Sequence, residues 1–324
     1  MKKTIVFLLC FLLLLGGCAP QPPSTDQTAG GSAQNTDLTE PSTTQDAAQQ
    51  PSYVNDFVPG GEGAGVAVSC MSFNVLAYDT HGIGYADPAE RAPLVARFIR
   101  EQNCDIVGLQ EVSEIYGYDW VTTLKTALGD IYESRILLEE EDCAYSYMEI
   151  GAGLMILYRK DRFELLDSGC CEYYEDYNRY YQWVKLKDSK SGRELFVTNT
   201  HFSIDPSWSD DVNAGNLIRT SEAQELSDFW ENHVKDTPLF ATGDYNCYEF
   251  DDPHVLELQT SIYQPSSSVA TEIEGGSSID FVYLNTLSMN CTRYVKTEKS
   301  YTDANGESLE MSDHYPVIAY AEYQ

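Results

Sequence analysis

Hydrophobic positions change their spacing near residue 64 of the chain. Before it lie one short apolar run, residues 5–15, and then a long stretch of Ser, Thr, Gln, Pro, Ala and Gly without Lys or Arg. After it, apolar residues recur at strand and helix periods. Residues 65–74 (GVAVSCMSFN) read as a strand ending on a polar residue. Asp87-Pro88 opens a helix whose apolar face is Leu94, Val95, Phe98 and Ile99. Residues 105–110 (DIVGLQ) suit a short buried strand that ends at Glu111. Residues 153–158 and 163–166 read as neighbouring strands, 182–187 alternate, and 195–200 form an apolar strand ending at His201. Residues 216–234 place Leu217, Ala223, Leu226, Phe229 and Trp230 at helical spacing. Residues 238–242 run as a strand into Gly243-Asp244, and 279–284 and 315–320 complete the set. Many strands with a few interspersed helices predict a mixed α/β sandwich, and no repeat at solenoid periods is present.

The 324 residues allow one large domain or two small ones, and 43% hydrophobic against 22% charged residues is enough to fold most of the chain around a core. Asp and Glu number 51 against 20 Lys and Arg, for a net charge of -31, and Lys2 and Lys3 are the only basic residues before Arg91. No basic patch is available for a stable, sequence-independent grip on nucleic acid, so none is expected. Transient attack on a phosphate ester remains compatible, because a bound cation supplies positive charge locally.

Met1-Lys2-Lys3, the short apolar run and Gly16-Gly17-Cys18 form a secretory signal too short for a transmembrane helix. Leu15-Gly16-Gly17-Cys18 resembles a bacterial lipobox, which implies cleavage before Cys18 and lipid on its thiol; the alternative is a secretory signal with a chance cysteine. The expected organisation is a lipoprotein signal peptide over 1–17, a lipid-anchored disordered tether over 18–63, and a folded domain over 64–324 outside the cytoplasm at the bacterial cell envelope. The membrane is met through that anchor only, and a monomer is expected. Of nine cysteines, Cys70, Cys104, Cys143, Cys170, Cys171, Cys247 and Cys291 lie beyond the anchor. Their odd number leaves at least one outside an intramolecular disulfide. Cys70 and Cys104 read as buried thiols, and on a strand the vicinal pair Cys170-Cys171 would face opposite sides.

Throughout the folded region a single event recurs: a strand ends and a carboxylate, amide or imidazole follows. Asn74, Glu111, His201, Asp244, Asn246, Asp280, Asp313 and His314 all stand at such tips or just beyond them. Singly, each reads as a turn former or a structural histidine. Jointly, they read as catalytic groups presented by a rigid sheet.

The stretches Ser72-Phe73-Asn74, Gly108-Leu109-Gln110-Glu111-Val112, Asn199-Thr200-His201-Phe202, Gly243-Asp244-Tyr245-Asn246, Ser278-Ile279-Asp280-Phe281-Val282 and Ser312-Asp313-His314-Tyr315-Pro316 occur in the order of the endonuclease/exonuclease/phosphatase superfamily, and the chain resembles it over about residues 66–320. The resemblance implies a DNase I-like, four-layer sandwich: two mainly antiparallel β-sheets flanked by helices. It implies Mg²⁺, with Mn²⁺ or Ca²⁺ as alternatives, held by Glu111 with Asn74 and Asp313 beside it; hard oxygen ligands suit such an ion. His201 and His314 would flank the scissile phosphate, Asp280 would orient His314, and Asp244 and Asn246 would position the attacking water and a phosphate oxygen. The implied reaction is in-line hydrolysis of a phosphate ester.

A bacterial branch of the same family carries an Arg before a Trp-containing strand and another opening the long helix, which implies Arg179 and Arg219 as phosphate contacts. Glu222 stands where that branch commonly has Gln, and a surface role for Arg219 is equally open. Arg91 reads as structural. Tyr173, Tyr174, Tyr177, Tyr180 and Tyr181 read first as strand tyrosines and second as a stacking wall. Residues 139–142 (EEED) read as a solvated loop, His233 and His254 as surface residues, and His81 as an edge of the cleft. A nuclease-like phosphodiesterase is favoured, over a phosphatase, a phospholipase C or sphingomyelinase-like enzyme on small or lipid phosphoesters, or a non-catalytic surface lipoprotein.

Overall fold

The computed structural model describes residues 63–76, 85–112, 118–136, 153–174, 179–204, 214–247, 263–265, 279–302, 306 and 308–324. The signal, Cys18 and the tether up to residue 62, and the readings of His81, residues 139–142, Cys143, Tyr177 and His254, lie outside the described residues. In chain order the elements are β1 (Ala67–Asn74), α1 (Pro88–Gln102), β2 (Ile106–Gln110), α2 (Trp120–Leu128), β3 (Tyr132–Ile136), β4 (Leu154–Arg159), β5 (Phe163–Glu172), β6 (Tyr180–Asp188), β7 (Glu194–His201), α3 (Ala214–Phe229), a π-helical turn (Trp230–Val234), β8 (Leu239–Asp244), β9 (Tyr263–Pro265), β10 (Asp280–Asn285), β11 (Met289–Lys296), β12 (Ser300–Thr302), β13 (Ser308–Glu310) and β14 (Val317–Tyr323).

One sheet runs β11-β14-β1-β2-β4-β3 and the other β5-β6-β7-β8-β10-β9, while β12 and β13 pair with each other. Only β1 with β2 and β7 with β8 are parallel among these described pairs. Each parallel pair is joined through a helix, α1 or α3, and is flanked on both sides by antiparallel strands. The two sheets therefore repeat one arrangement, and each brings two strand ends of the same sense to one edge. The four-layer sandwich expected from the sequence is the architecture observed. Helices α1 and α2 cover one sheet through Phe73, Phe98, Ile99, Trp120 and Leu124. The sheets pack through Val68, Cys70, Ile106, Leu195, Val197, Phe240 and Val282. The long helix and π turn cover the second sheet through Ala223, Leu226, Trp230 and Tyr283. Among the described residues no helix is long and apolar enough to cross a membrane.

Side chains on a strand alternate between faces, so the inter-sheet rows can be read directly. On β1 the row is Val68, Cys70, Ser72, Asn74; on β7 it is Leu195, Val197, Asn199, His201; on β8 it is Phe240, Thr242, Asp244. Each begins apolar and ends polar at the same edge of the sandwich. Beneath that edge the polar groups bond one another across the sheets, as most buried polar groups do. Gln110 Nε2 donates to Asn199 Oδ1 at 2.7 Å and to Ser72 Oγ at 3.2 Å, Thr242 Oγ1 donates to Asn199 Oδ1 at 3.0 Å, and Gly243 N donates to Ser72 Oγ at 3.1 Å. At the opposite edge the buried Arg162 ties Asp188, at 2.8 and 2.9 Å, to Asp105, at 2.9 Å.

Several expectations are corrected. The strands read as neighbours at 153–158 and 163–166 are β4 and β5, which lie in different sheets; the chain crosses between them at Arg162. Leu217 is 69% exposed rather than buried in the apolar face, because it shares the outer face with the exposed Gln224 and Asp228. The long helix turns π-helical from Trp230, where Lys235 N bonds the Trp230 carbonyl. The helix α2 and the strands β3, β9, β11, β12 and β13 do not stand out in the hydrophobic pattern. In α2, Val121, Thr122 and Thr123 are poor helix formers, and the fold is set instead by the Asp119 cap on Thr122 N at 2.7 Å and burial of Trp120, Leu124 and Leu128. The exposed edge strand β11 has no clean alternation and carries a bulge between Cys291 and Arg293, a common way to blunt an edge.

Cys170 is disulfide-bonded, Cys171 and Cys291 are exposed thiols, and Cys70 and Cys104 are buried thiols as expected. Tyr173, Tyr180 and Tyr181 are buried and Tyr174 is 74% exposed, which favours strand tyrosines over a stacking wall. His233 is exposed and stacks on Phe229.

Close approach of the sheets depends on Gly108. A Cβ there would stand 1.9 Å from Thr242 Oγ1 and 3.0 Å from Asn199 Oδ1. Gly108→Ala is expected to destabilise the fold by about 1–3 kcal/mol or more through overpacking, read as a lower midpoint in urea unfolding.

Candidate active site

Six strand ends bring their polar residues to the edge where the inter-sheet rows turn polar. Asn74 closes β1, Glu111 follows β2, His201 closes β7, Asp244 closes β8, Asp280 opens β10, and Asp313-His314 precede β14. His201 pairs in register with Asp244 on the parallel strands, and Asp280 pairs with Asp244 on the antiparallel ones. All but Asp313 are buried.

The carboxylate of Asp244 is the meeting point. Its Oδ2 accepts from Asn74 Nδ2 at 3.0 Å, and it stands 3.4 Å from His201 Nε2 and 3.7 Å from His314 Nε2. Its Oδ1 accepts from Asn246 N at 3.0 Å. Asn74 Nδ2 also donates to Glu111 Oε1 at 3.0 Å, so one amide bridges the two carboxylates while its oxygen accepts from Leu76 N. Asp280 Oδ2 lies 2.8 Å from His314 Nδ1, which fixes that ring and leaves Nε2 facing Asp244 and, at 3.9 Å, Asp313.

Local backbone geometry is unusual at these positions. Leu76, Glu111 and Asn246 have φ of 50°, 62° and 50°, a left-handed conformation that a non-glycine residue adopts at a cost. Surrounding contacts hold it. Val112 N donates to Gly153 O at 3.1 Å, and a side chain at Gly153 would meet the Val112 carbonyl at 1.8 Å. Asn246 Nδ2 donates to Phe202 O at 2.8 Å. Arg91, fully buried, donates to the carbonyls of Val75, Leu76, Ala86 and Met311; it ties the loop after Asn74 to the segment before Asp313, the structural role read from the sequence. Ser312 Oγ donates to Asn74 O at 2.7 Å and accepts from His314 N at 3.1 Å, so the Asp313-His314 turn is pinned to the end of β1. No role was read for Ser312 from sequence, although it stands beside the Asp-His pair.

Burial and mutual charge shift the acids and the imidazole. Burial, reinforced by Asp280, pushes the Asp244 carboxyl up to about 7. Burial also raises the Glu111 carboxyl, with the Asn74 N–H opposing it, Asp313 adding to it, and His314 and Arg179 opposing it at longer range. Burial works against a charged His314, but Asp280 and Asp244 more than offset it and hold the imidazole well above its ordinary value.

Glu111 Oε2 is buried and accepts no hydrogen bond. An unsatisfied buried carboxylate oxygen is costly, and with Asp313 close by this oxygen-rich corner fits a hard divalent cation. Asp244, Asp280 and His314 also bring ligand-type atoms within 4.8 Å of one another, but there Asp280 Oδ2 and His314 Nδ1 bond each other. Asn74 turns its amide nitrogen, not its oxygen, toward Glu111.

The two arginines expected at the substrate are placed differently. Arg179 is partly exposed and its charge reaches Glu111. Arg219 is 2% exposed and donates to Ser203 O at 3.0 Å and Asn216 Oδ1 at 2.7 Å, so these two donors serve the loop after β7 and the first turn of α3 rather than an open cleft.

In the metal-free protein, Asp280→Asn should lower the His314 pKa toward that of free histidine, as followed by NMR titration of its ring protons. The sign for stability follows: the contribution of His314 is full below about pH 6.5 and fades as pH rises through its elevated folded value. The variant should lose this dependence.

No protein-family model matches the chain. Nocturnin of Drosophila melanogaster is 27% identical over 165 residues, which cover 48% of this chain and 24% of that protein; the match thus spans about a quarter of that relative's length. Among solved structures, an endonuclease/exonuclease/phosphatase protein of Bacteroides vulgatus superposes with a TM-score of 0.62 at 22% identity, covering 80% of this chain and all of that one. A mannosyl-6-phosphatase of Bacteroides thetaiotaomicron gives 0.61 at 18% identity over 78% of this chain and 99% of its own. The human Nocturnin catalytic domain, solved with a bound sulfate anion, gives 0.61 at 16% identity over 82% and 96%. Strand order, layers and these likenesses agree: the chain has the DNase I-like fold of the endonuclease/exonuclease/phosphatase superfamily.

Proposed function

We propose that the folded domain is a Mg²⁺-dependent phosphoester hydrolase, tethered outside the cytoplasm by lipid on Cys18. The observation that carries this reading is the convergence of His201, His314 and Asn74 on one buried carboxylate oxygen of Asp244, beside a Glu111 oxygen without a hydrogen bond. Glu111 and Asp313 are the residues that would hold the metal, with Asn74 orienting Glu111 through its amide N–H. When bound, the metal supplies charge neutralisation at the phosphoryl oxygens and favours deprotonation of the attacking water.

The chain's own groups divide the remaining work. Asp244, raised to about 7, is matched to accept a proton from water near neutral pH. Asn246 holds Asp244 Oδ1 and so sets the direction of the carboxylate. His314, kept protonated by Asp280, presents Nε2–H to a phosphoryl oxygen as charge develops. His201, whose Nε2 lies 3.4 Å from the same Asp244 oxygen, is placed to assist the leaving oxygen. Arg179 adds a cation at the rim.

Phosphodiesters are the favoured substrates, engaged transiently because 51 acidic against 20 basic residues repel an extended polyanion. The same excess of acid favours compact phosphomonoesters as the second reading, and the solved mannosyl-6-phosphatase shares the fold.

The test is turnover of bis-p-nitrophenyl phosphate and of p-nitrophenyl phosphate by the full chain in Mg²⁺ and in EDTA. Mg²⁺-dependent release of nitrophenol is expected; equal rates in EDTA would defeat the proposal. Glu111→Gln should abolish that turnover and the Mg²⁺-induced rise in Tm together, and His314→Ala should lower kcat about 100-fold or more. Cys18→Ser should move the protein from the membrane to the soluble fraction; continued membrane association would defeat the lipid anchor.

A further inference from the structure

Ser203, two residues beyond His201, is held in an unusual way. Its N–H lies 3.0 and 3.3 Å from the two carboxylate oxygens of Glu222, its hydroxyl donates to Glu222 Oε1 at 2.5 Å, and its carbonyl accepts from Arg219 Nη1 at 3.0 Å. Every polar group of this one residue is thus engaged by two side chains separated by a single turn of α3. Glu222 is fully buried and Ser203 and Arg219 are each 2% exposed, so water does not compete for these contacts.

The rest of the segment is equally constrained. Phe202 N donates to Asp244 O at 2.9 Å and Phe202 O accepts from Asn246. The Phe202 ring packs edge-on against Tyr173 and Tyr245. Inside the sandwich, then, the segment is fixed by β8, and outside it by α3. His201 enters this segment as the last residue of β7, with its Nε2 3.4 Å from Asp244, and a bearing this specific requires the chain on both sides of the residue to be immobile.

We propose that Glu222 and Arg219 are positioning residues that set the orientation of the His201 imidazole by clamping Ser203. The clamp rests on the reading of His201 as a member of the phosphoester site for its effect on rate, but not for its effect on the ring. It also accounts for a carboxylate at position 222, where the family resemblance would place an amide. Ser203 offers two donors to one side chain, and a carboxylate accepts both in charge-assisted bonds; a glutamine would accept only in neutral bonds or reverse the second, its Nε2 donating to the Ser203 hydroxyl oxygen.

The experiment uses the full chain labelled with ¹³C at histidine, the His201 ring signal being assigned by its loss in His201→Ala. Glu222→Gln should shift that signal, and Ser203→Ala, a milder change, should shift it in a protein whose Tm stays close to wild type. On bis-p-nitrophenyl phosphate, well below its Tm, Glu222→Gln should lower kcat roughly 10- to 100-fold, the scale of a small misplacement of a catalytic group, with KM within about twofold. The same change added to His201→Ala should cost no further rate. A His201 signal unmoved in both variants overturns the clamp whatever the activity. So does a rate loss from Glu222→Gln that persists in full on the His201→Ala background. A wild-type chain that turns over no phosphoester, but whose His201 signal moves in both variants, sinks the hydrolase reading and leaves the clamp standing.

Discussion

The carboxylate of Asp244 is the constraint on which the rest of the site depends. It is 1% exposed, and burying a carboxylate without donors costs several kcal/mol. Donors come from β1, through Asn74, and from the turn after β8, through the Asn246 N–H, with imidazoles from β7 and from the turn before β14 close by. Those elements belong to both sheets, so the requirement is met only if the two parallel strand pairs end at one height. The polar seam of Ser72, Gln110, Asn199 and Thr242 holds them there, and Gly108 lets the backbones come close enough for the seam to close. Each inter-sheet row runs from apolar to polar residues, so the packing core and the reactive edge are two ends of one layer.

Much of this was legible in the sequence for a simple physical reason. Alternation with a period of two exposes which residues share a face; β1, β2, β7 and β8 each carry a polar residue at or just past the close of an apolar run, and β10 carries Asp280 at its opening. Asn74, Glu111, His201, Asp244, Asp280 and His314 were therefore readable as strand-tip groups, and the structure brings them together. What was not legible depends on contacts distant in sequence. Nothing local tells that β4 and β5 diverge at Arg162, whose partners Asp105 and Asp188 lie 57 residues before and 26 after it in the chain. Nothing local turns the Asn74 amide so that its nitrogen, not its oxygen, meets Glu111. The α2 segment defeats propensity through its β-branched residues, although Asp119 and the spacing of Trp120, Leu124 and Leu128 carried a weak signal. Arg219 looked like a phosphate ligand because arginines often are; only the contacts with Ser203 and Asn216 reveal where two of its donors go.

The electrostatics place the acid excess of the chain in a different light. With Asp244, Asp280, Glu111 and Asp313 within one small region, the site is rich in carboxylates, and Asp244 and Glu111 are raised first by burial and then by those neighbouring acids. His314 offsets some of it by staying protonated, and Arg179 offsets more from the rim. Glu111 Oε2 is a buried acceptor without a hydrogen bond. A divalent cation at that point would relieve the crowding, satisfy the orphan oxygen and supply the positive charge that a phosphate ester needs. The acidic surface and the proposed chemistry are then compatible, because positive charge is required only at the metal.

The central claim is that the cation belongs at Glu111 and not among the hydrogen-bonded Asp244, Asp280 and His314. Anomalous diffraction from Mn²⁺-soaked crystals of the Cys18→Ser chain tests it directly. The account predicts an anomalous peak within coordination distance of Glu111 Oε2, about 2.0–2.3 Å, with the Asp280–His314 hydrogen bond intact. A peak seated between Asp244, Asp280 and His314, or no peak at Glu111 in a site accessible to the soak, would contradict it.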